Sequence, residues 1–416
     1  MKAVVLAAGK GERLSPLTEN RPKHLLPVGG RPLLEWSLRG IADAGITDVL
    51  IVTHYMEEKI KGQFGDGRGL GLNLSYINQE KMLGTADAFR IAEEFVNGEE
   101  FIGFYGDLYV NPEIFKYLID SHSESETTLC VVPVENPSQT GIVELDGDRV
   151  VNIVEKPRPG EEPSKLGNAG VYVFSPEIFK FIAETGLSQR NEYEITDSLK
   201  ALIKSGSAVN AVPIFEEDWL DVGLPWNLLE ANKRALGLQE TEVEGEIEDG
   251  VYIHGSVRIA KGAKIRSGAY IEGPVYIGPR SDIGPSCYLR PYTYLGADVR
   301  IGNACEVKNS VIMKGTHVAH LSYVGDSIIG ENCNFGAGTM TANIRFDKKN
   351  INVNIKDGRI DSGQRKLGAI IGDDVQTGIN VNLMPGVKVG SGAWIAPGLT
   401  IYRDVPSGVF IRSTNT

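Results

Sequence analysis

From Ile253 onward an aliphatic side chain returns at every sixth position: Ile253, Ile259, Ile265, Ile271, Ile277, Ile283, Leu289, Leu295, Ile301, Val307 and Met313. Glycine often follows it, as in Ile277-Gly278, Ile283-Gly284, Leu295-Gly296 and Ile301-Gly302. Neither the period of about 3.6 of a helix nor the two-residue period of a strand generates a repeat of six with a glycine corner. A parallel β-helix does, because each short strand turns one aliphatic inward and a small residue bends the chain toward the next face. The pattern resumes at Ile329-Gly330 and Phe335-Gly336, then at Ile371, Thr377, Leu383, Val389, Ile395 and Ile401. Between them, Asn343 to Gly368 breaks the repeat and carries Arg345, Lys348, Lys349, Lys356, Arg359, Arg365 and Lys366, which reads as a loop projecting from one face.

The first part of the chain is patterned differently. Apolar runs at Lys2–Ala7, Asp48–Thr53, Phe101–Tyr105 and Thr128–Pro133 predict strands, and helical patterns lie between them at Leu33–Ala44, Thr85–Phe95 and Pro112–Ser121. This alternation predicts an α/β domain with a largely parallel sheet. The glutamate-rich stretch Gln239–Glu248 separates the two patterns. The expected organisation is an α/β domain over 1–230, a linker over 231–248 and a β-helix over 249–416.

Charge narrows the classes of partner. With 42 Lys+Arg against 54 Asp+Glu the net charge is −12, which argues against general affinity for nucleic acid or an anionic membrane, so any phosphate site is local. No run reaches the ~18 apolar residues of a membrane span. Met1-Lys2 leads into Ala3-Val4-Val5-Leu6-Ala7-Ala8, which reads as a buried strand, with a short signal-peptide core as the rival. Cys130, Cys287, Cys305 and Cys333 are widely spaced and form no C-x-x-C pair, so a reducing cytoplasm fits best.

After the first strand, Leu6-Ala7-Ala8-Gly9-Lys10-Gly11-Glu12-Arg13-Leu14-Ser15-Pro16-Leu17-Thr18 forms a glycine-rich turn. Its backbone N–H groups could cradle phosphate oxygens, with Lys10 and Arg13 supplying charge, although it is neither a Walker A sequence nor a dinucleotide fingerprint. Pro22-Lys23-His24-Leu25-Leu26-Pro27 follows. Further on come Gln79, Leu83-Gly84-Thr85-Ala86-Asp87-Ala88, Gly106-Asp107, Gly141, Glu155-Lys156-Pro157, Asn168-Ala169-Gly170 and Asp221-Val222-Gly223. In this order, over about 220 residues, they resemble the sugar-1-phosphate nucleotidylyltransferase family. The resemblance implies a Rossmann-like domain in which Gly9, Arg13 and Lys23 meet the triphosphate, with Arg13 and Lys23 catalytic. It implies that Gln79, Gly84 and Thr85 bind the base, and that Gly141, Glu155, Lys156 and Asn168 bind the sugar phosphate. Asp107 and Asp221 would hold Mg²⁺. Thr196 is either a sugar contact or a helix N-terminal hydroxyl.

In the second half, Leu289-Arg290-Pro291, Glu306-Val307-Lys308, His320 to Asp326, Asn332 to Thr339 and Asn343 resemble the acetyltransferase half of the bacterial bifunctional N-acetylglucosamine-1-phosphate uridylyltransferase/glucosamine-1-phosphate acetyltransferases. That resemblance implies a left-handed β-helix of hexapeptide repeats, a homotrimer, and acetyl-CoA as co-substrate beside UTP or dTTP. His320 would be the general base, since imidazole exchanges protons near neutral pH. Arg290, Lys308 and Lys366 would neutralise the sugar phosphate, Tyr323 and Asn334 would place the amino sugar, and Ala337 and Asn343 would meet acetyl-CoA. His317 is assigned to structure. Asp221 stands where those bacterial enzymes carry asparagine and is more similar to the thymidylyltransferases, which implies acceptance of both UTP and dTTP. Archaeal two-domain members combine these features. Two rivals remain: a monofunctional nucleotidylyltransferase whose β-helix only assembles the oligomer, and a non-catalytic subunit built on the same domains.

Overall fold

The computed structural model describes residues 1–413. By packing, the chain forms two units: one comprises Met1–Lys10 and Leu33–Asp221, and the other Gly11–Pro32 and the residues from Val222 onward. The nucleotide-signature segment 11–32 therefore packs with the β-helix, which the linear pattern did not indicate.

The first unit is built on a nine-stranded sheet in the order Asn73–Asn78, Asp48–Thr53, Lys2–Ala7, Phe101–Tyr105, Leu166–Phe174, Thr127–Pro133, Val209–Pro213, Arg149–Glu155, Gly141–Asp146. The first four strands are parallel, and Leu166–Phe174 runs antiparallel to both of its main neighbours. Lys2–Ala7 is a continuous apolar run because both sheet faces are covered. Ala3, Val5 and Ala7 join one core with Leu34, Leu38 and Phe115, while Val4 and Leu6 join the other with Phe89 and Ile178. The helices Leu33–Asp43 and Glu113–Asp120 form where expected. The expected helix Thr85–Phe95 is divided into Thr85–Arg90 and Glu93–Val96. Between them the backbone tightens, and Ala92 donates to Phe89 O at 2.9 Å, an i→i−3 bond of the tighter 3₁₀ kind.

In the second unit, three parallel sheets of eight, nine and eight strands form the faces of a β-helix. One interior ladder runs Ile259, Ile277, Leu295, Ile312, Ile329, Ile371 and Val389. The eleventh position of the hexad series is thus a correction: Ile312, not Met313, takes the interior place, because the coil after Val307 is one residue shorter. Both residues are apolar, so the slip is invisible in the hydrophobic pattern. The break from 343 to 368 is corrected too. It contains a β-hairpin, Asn352–Ile355 with Gly358–Asp361, whose Ile351, Val353 and Ile355 are buried. A Cβ on Gly386 would lie 2.7 Å from Ile351 Cγ2, so the hairpin lies down on the coil below it.

Glycine corners are required where coils stack. A Cβ on Gly302 would lie 1.8 Å from Ala319 O, and backbone cannot yield as a side chain does. Gly302→Ala is therefore expected to cost about 3 kcal/mol or more, the upper range for overpacking. A lowered denaturant midpoint at unchanged slope would register it.

Candidate active site

In the first unit, short antiparallel pairing sets Asp221 directly opposite Leu108, the residue after Asp107. Gly106 donates its N–H to Leu6 O at 2.9 Å and so fixes the start of this turn at the end of the strand Phe101–Tyr105. Both carboxylates are partly exposed. Among the described residues no group of three or more His, Cys, Asp or Glu side chains is placed to hold a metal. A carboxylate in the turn before Leu108–Val110 and another on the strand paired with it do fit Mg²⁺, which typically takes one or two carboxylates with phosphate oxygens and water.

The expected sugar-binding residues converge. Gly141 pairs with Glu155 across two strands, and a Cβ on Gly141 would approach Glu155 Oε2 and Thr196 Cγ2 to 3.1 Å and Asn168 Cβ to 3.7 Å. Thr196 Oγ1, in the first turn of the helix Ile195–Lys204, donates to Glu155 Oε2 at 3.1 Å. Lys156 Nζ lies 3.7 Å from Glu155 Oε1. Arg190, which the motif reading missed, lies 3.6 Å from the same oxygen. Asn168 occupies a register break in its strand, where Gly170 takes φ +71° and Gly170 N donates to Asn168 Oδ1 at 3.2 Å. Asn168 Nδ2 in turn donates to Tyr172 OH at 2.7 Å. Burial pushes the Tyr105 and Tyr172 phenols upward, so both remain hydroxyls, 3.1 Å apart.

The expected base-binding segment is stitched to 193–195. Tyr193 N donates to Leu83 O at 2.7 Å, Ala86 N to Tyr193 O at 2.9 Å, and Ile195 N to Thr85 Oγ1 at 3.0 Å. Gly84 is at φ +114°, and a Cβ there would come within 2.4 Å of Tyr193 O. Gln79 is buried and donates to Asp87 Oδ2 at 2.8 Å, so its amide is already oriented. Gly9 lies in the irregular stretch that follows the first strand.

In the second unit, segment 11–32 opens on Gly11 at φ +70° and continues as a 3₁₀ turn, Glu12–Leu14, rather than an α-helix. A Cβ on Gly11 would lie 3.1 Å from Lys23 Cβ, so Gly11 and Lys23 pack together. Arg13 is exposed and Lys23 half-buried.

On the β-helix, Arg290 and Lys308 stand on successive coils. Arg290 Nη1 donates to Glu306 Oε1 at 2.8 Å. Lys308 Nζ lies 3.3 Å from Asp326 Oδ2, and Asn309 Nδ2 donates to Asp326 Oδ1 at 2.8 Å. Asn343 Nδ2 donates to Asp326 Oδ2 and, at 3.0 Å, to Tyr323 OH. Buried Asp326 is therefore the hub that joins Lys308, Asn343 and, through Asn343, Tyr323, a role the sequence reading did not assign. The signal was present: Lys308 precedes it by 18 residues and Asn343 follows it by 17, one coil each way. Burial, then the Asp326 charge, pushes the Tyr323 phenol up. Lys366 bridges Ile344, and Leu367 N donates to Asn343 O at 3.0 Å, so the exposed Lys366 belongs to the same corner. His320 is exposed at the end of the strand His317–His320, and Gly338 of the next coil donates to its carbonyl at 3.3 Å. Asn334 stacks on His317 rather than on His320. Ala337 O accepts from Asn380 N at 2.8 Å. Burial raises the Cys130, Cys287 and Cys333 thiols to about 12, which leaves them unsuited to nucleophilic chemistry.

Residues 2–237 match the nucleotidyl transferase family model, and residues 271–384 match that of the GMPPB C-terminal domain. A bifunctional protein GlmU of Methanocaldococcus jannaschii is 44% identical over 99% of this chain and 97% of its own length. A bifunctional sugar-1-phosphate nucleotidylyltransferase/acetyltransferase of Sulfurisphaera tokodaii is 42% identical over 99% of this chain and all of its own. The chain belongs to this bifunctional family. The present chain has a nucleotidyltransferase domain followed by a β-helix. The solved structure of a putative glucose-1-phosphate thymidylyltransferase from Bacillus anthracis aligns with a TM-score of 0.53 and 28% identity over 58% of this chain and 98% of that one. No helix among the described residues is long and apolar enough to cross a membrane.

Proposed function

We propose that the β-helix N-acetylates an amino-sugar 1-phosphate with acetyl-CoA, and that the α/β domain then transfers UMP or dTMP from UTP or dTTP to the sugar 1-phosphate, releasing pyrophosphate. The supporting observation is that each unit carries its own polar cluster of the appropriate chemistry: Gly141, Glu155, Asn168 and Thr196 in one, and Arg290, Lys308, Tyr323, Asp326 and Asn343 in the other. Glucosamine 1-phosphate is the expected acceptor, with galactosamine 1-phosphate as an alternative.

At the β-helix, His320 takes a proton from the amino nitrogen as that nitrogen attacks the thioester carbonyl. The new N–C bond forms, the C–S bond breaks, and coenzyme A leaves as its thiol. Arg290, Lys308 and Lys366 hold the phosphate, while Tyr323 and Asn334 orient the sugar. The Ala337 N–H polarises the carbonyl and Asn343 borders acetyl-CoA. In the α/β domain, a phosphate oxygen of the sugar 1-phosphate attacks the α-phosphorus in line as the bond to the β-phosphate oxygen breaks. Arg13 and Gly9 hold the leaving pyrophosphate and Lys23 the α-phosphate. Lys156 meets the sugar phosphate, Glu155, Gly141 and Asn168 the sugar, and Gln79, Gly84 and Thr85 the base. Asp107 and Asp221 would hold Mg²⁺, which when bound neutralises phosphate charge.

The protein acts in the cytoplasm as a homotrimer on small molecules, without nucleic-acid or membrane partners. Exposed Met340, Ile344 and Phe346, close to Asn343 in sequence, and exposed Leu321 at the preceding corner favour cover by further copies of the chain. The test is thiol release from acetyl-CoA with glucosamine 1-phosphate, followed by pyrophosphate release on adding UTP or dTTP with Mg²⁺. Both should occur with wild type. Pyrophosphate release without thiol release, with galactosamine 1-phosphate also inert, would reduce the β-helix to an assembly scaffold.

A further inference from the structure

The regular structure of segment 11–32 is limited to two single-turn 3₁₀ elements and a two-residue-per-strand hairpin. Gly29 N donates to Asn232 Oδ1 of the helix Pro225–Gly237 at 3.1 Å, and further anchors come from the β-helix. Arg21 is buried, and its Nη2 donates to Asp373 Oδ1 at 2.8 Å and Oδ2 at 2.9 Å and lies 3.3 Å from Glu331 Oε1. Its Nη1 reaches Leu17 O at 3.2 Å and Met313 Sδ at 3.5 Å, the side chain displaced from the interior ladder by the coil slip. Buried Asp373 also accepts from Asn20 Nδ2 at 3.1 Å and Glu331 N at 2.8 Å. Glu19 accepts from Ser391 N at 3.0 Å and Ser407 Oγ at 2.8 Å, and Glu12 pairs with Lys356 of the hairpin at 2.8 Å. A Cβ on Gly372 would come within 3.1 Å of Pro16 Cβ, so the contact is close-packed.

We infer that the β-helix is part of the nucleotidylyl-transfer machinery: the Arg21–Asp373 pair, backed by Glu19, fixes the backbone on which Arg13 and Lys23 stand. Arg21 and Asp373 are positioning residues, and the inference rests on the proposed roles of Arg13 and Lys23. A cation held by a loop is useful only if the loop is immobile before the charge on the phosphates redistributes. Charge-assisted bonds from Nη2 to both Asp373 oxygens, with Nη1 turned to Leu17 O, give that geometric definition, and burial shields the pair from solvent competition. Arg21 lies two residues before Lys23, and Glu12 immediately precedes Arg13, so both cations sit beside an anchor.

The experiment measures pyrophosphate release and thiol release by the full chain carrying Asp373→Asn, Glu19→Ala or Arg13→Ala. Asp373→Asn is expected to lower kcat/KM for the nucleoside triphosphate about 100-fold, the scale of a 1 Å misplacement, with KM for the sugar 1-phosphate and thiol release unchanged. Glu19→Ala, whose anchor is partly exposed, should shift the same parameter by less, and it keeps the inference testable should Asp373→Asn not fold. Loss of both activities in parallel would assign Asp373 a merely structural role and overturn the inference. So would wild-type pyrophosphate release in both anchor variants while Arg13→Ala is inactive. If Arg13→Ala itself retains full pyrophosphate release, the assigned role of the segment is wrong instead.

Discussion

Asp107→Ala should abolish pyrophosphate release while thiol release from acetyl-CoA continues at the wild-type rate. Asp107 lies in the turn just before the strand Leu108–Val110, and Asp221 on the strand paired with it, where either carboxylate alone is a poor ligand for a cation that gives up water reluctantly. Loss of several kcal/mol of charge stabilisation corresponds to about 1,000-fold or more in rate. The loss should persist at saturating sugar 1-phosphate, because Gly141, Glu155, Asn168 and Thr196 form a separate cluster untouched by the substitution. Raising Mg²⁺ should recover part of the rate. A variant that loses thiol release in step with pyrophosphate release, while still folded, would contradict the assignment of two sites.

The division of labour behind this expectation was partly readable in the sequence. A β-helix exposes its period because each strand offers one interior position, so Ile259, Ile277 and Leu295 mark three coils without any tertiary information. The same simplicity hides a coil shortened by one residue when the two candidates, Ile312 and Met313, are both apolar. The hairpin in the basic insertion was written in the alternation Ile351, Val353, Ile355 before Asp357-Gly358, but the surrounding lysines and arginines gave it the appearance of a loop. Asp326 was legible only to someone counting one coil in each direction. Arg21 was not legible at all, since its partner lies 352 residues away and nothing in the local pattern separates it from a surface arginine. Motif residues declare the chemistry they perform; the groups that hold them in place are specified by packing, and these escape a linear reading.

His320→Ala should produce the complementary result: thiol release falls about 10²- to 10⁴-fold, the usual contribution of a positioned general base, and pyrophosphate release from UTP or dTTP with N-acetylglucosamine 1-phosphate as acceptor is unaffected. The fall should lie in kcat rather than in KM for the amino sugar. Arg290, Lys308 and Tyr323, which would hold that substrate, are organised by Glu306, Asp326 and Asn343 and not by the imidazole. Exposure of His320 at the end of its strand makes the substitution structurally mild, because no core volume is lost. It also leaves room for added imidazole, which should restore part of the rate if the missing group acts as a base. His317→Ala, three residues earlier on the same strand and stacked on Asn334, serves as the contrast, with thiol release expected to change far less. Equal losses in the two histidine variants, with no recovery on adding imidazole, would move the base to another residue.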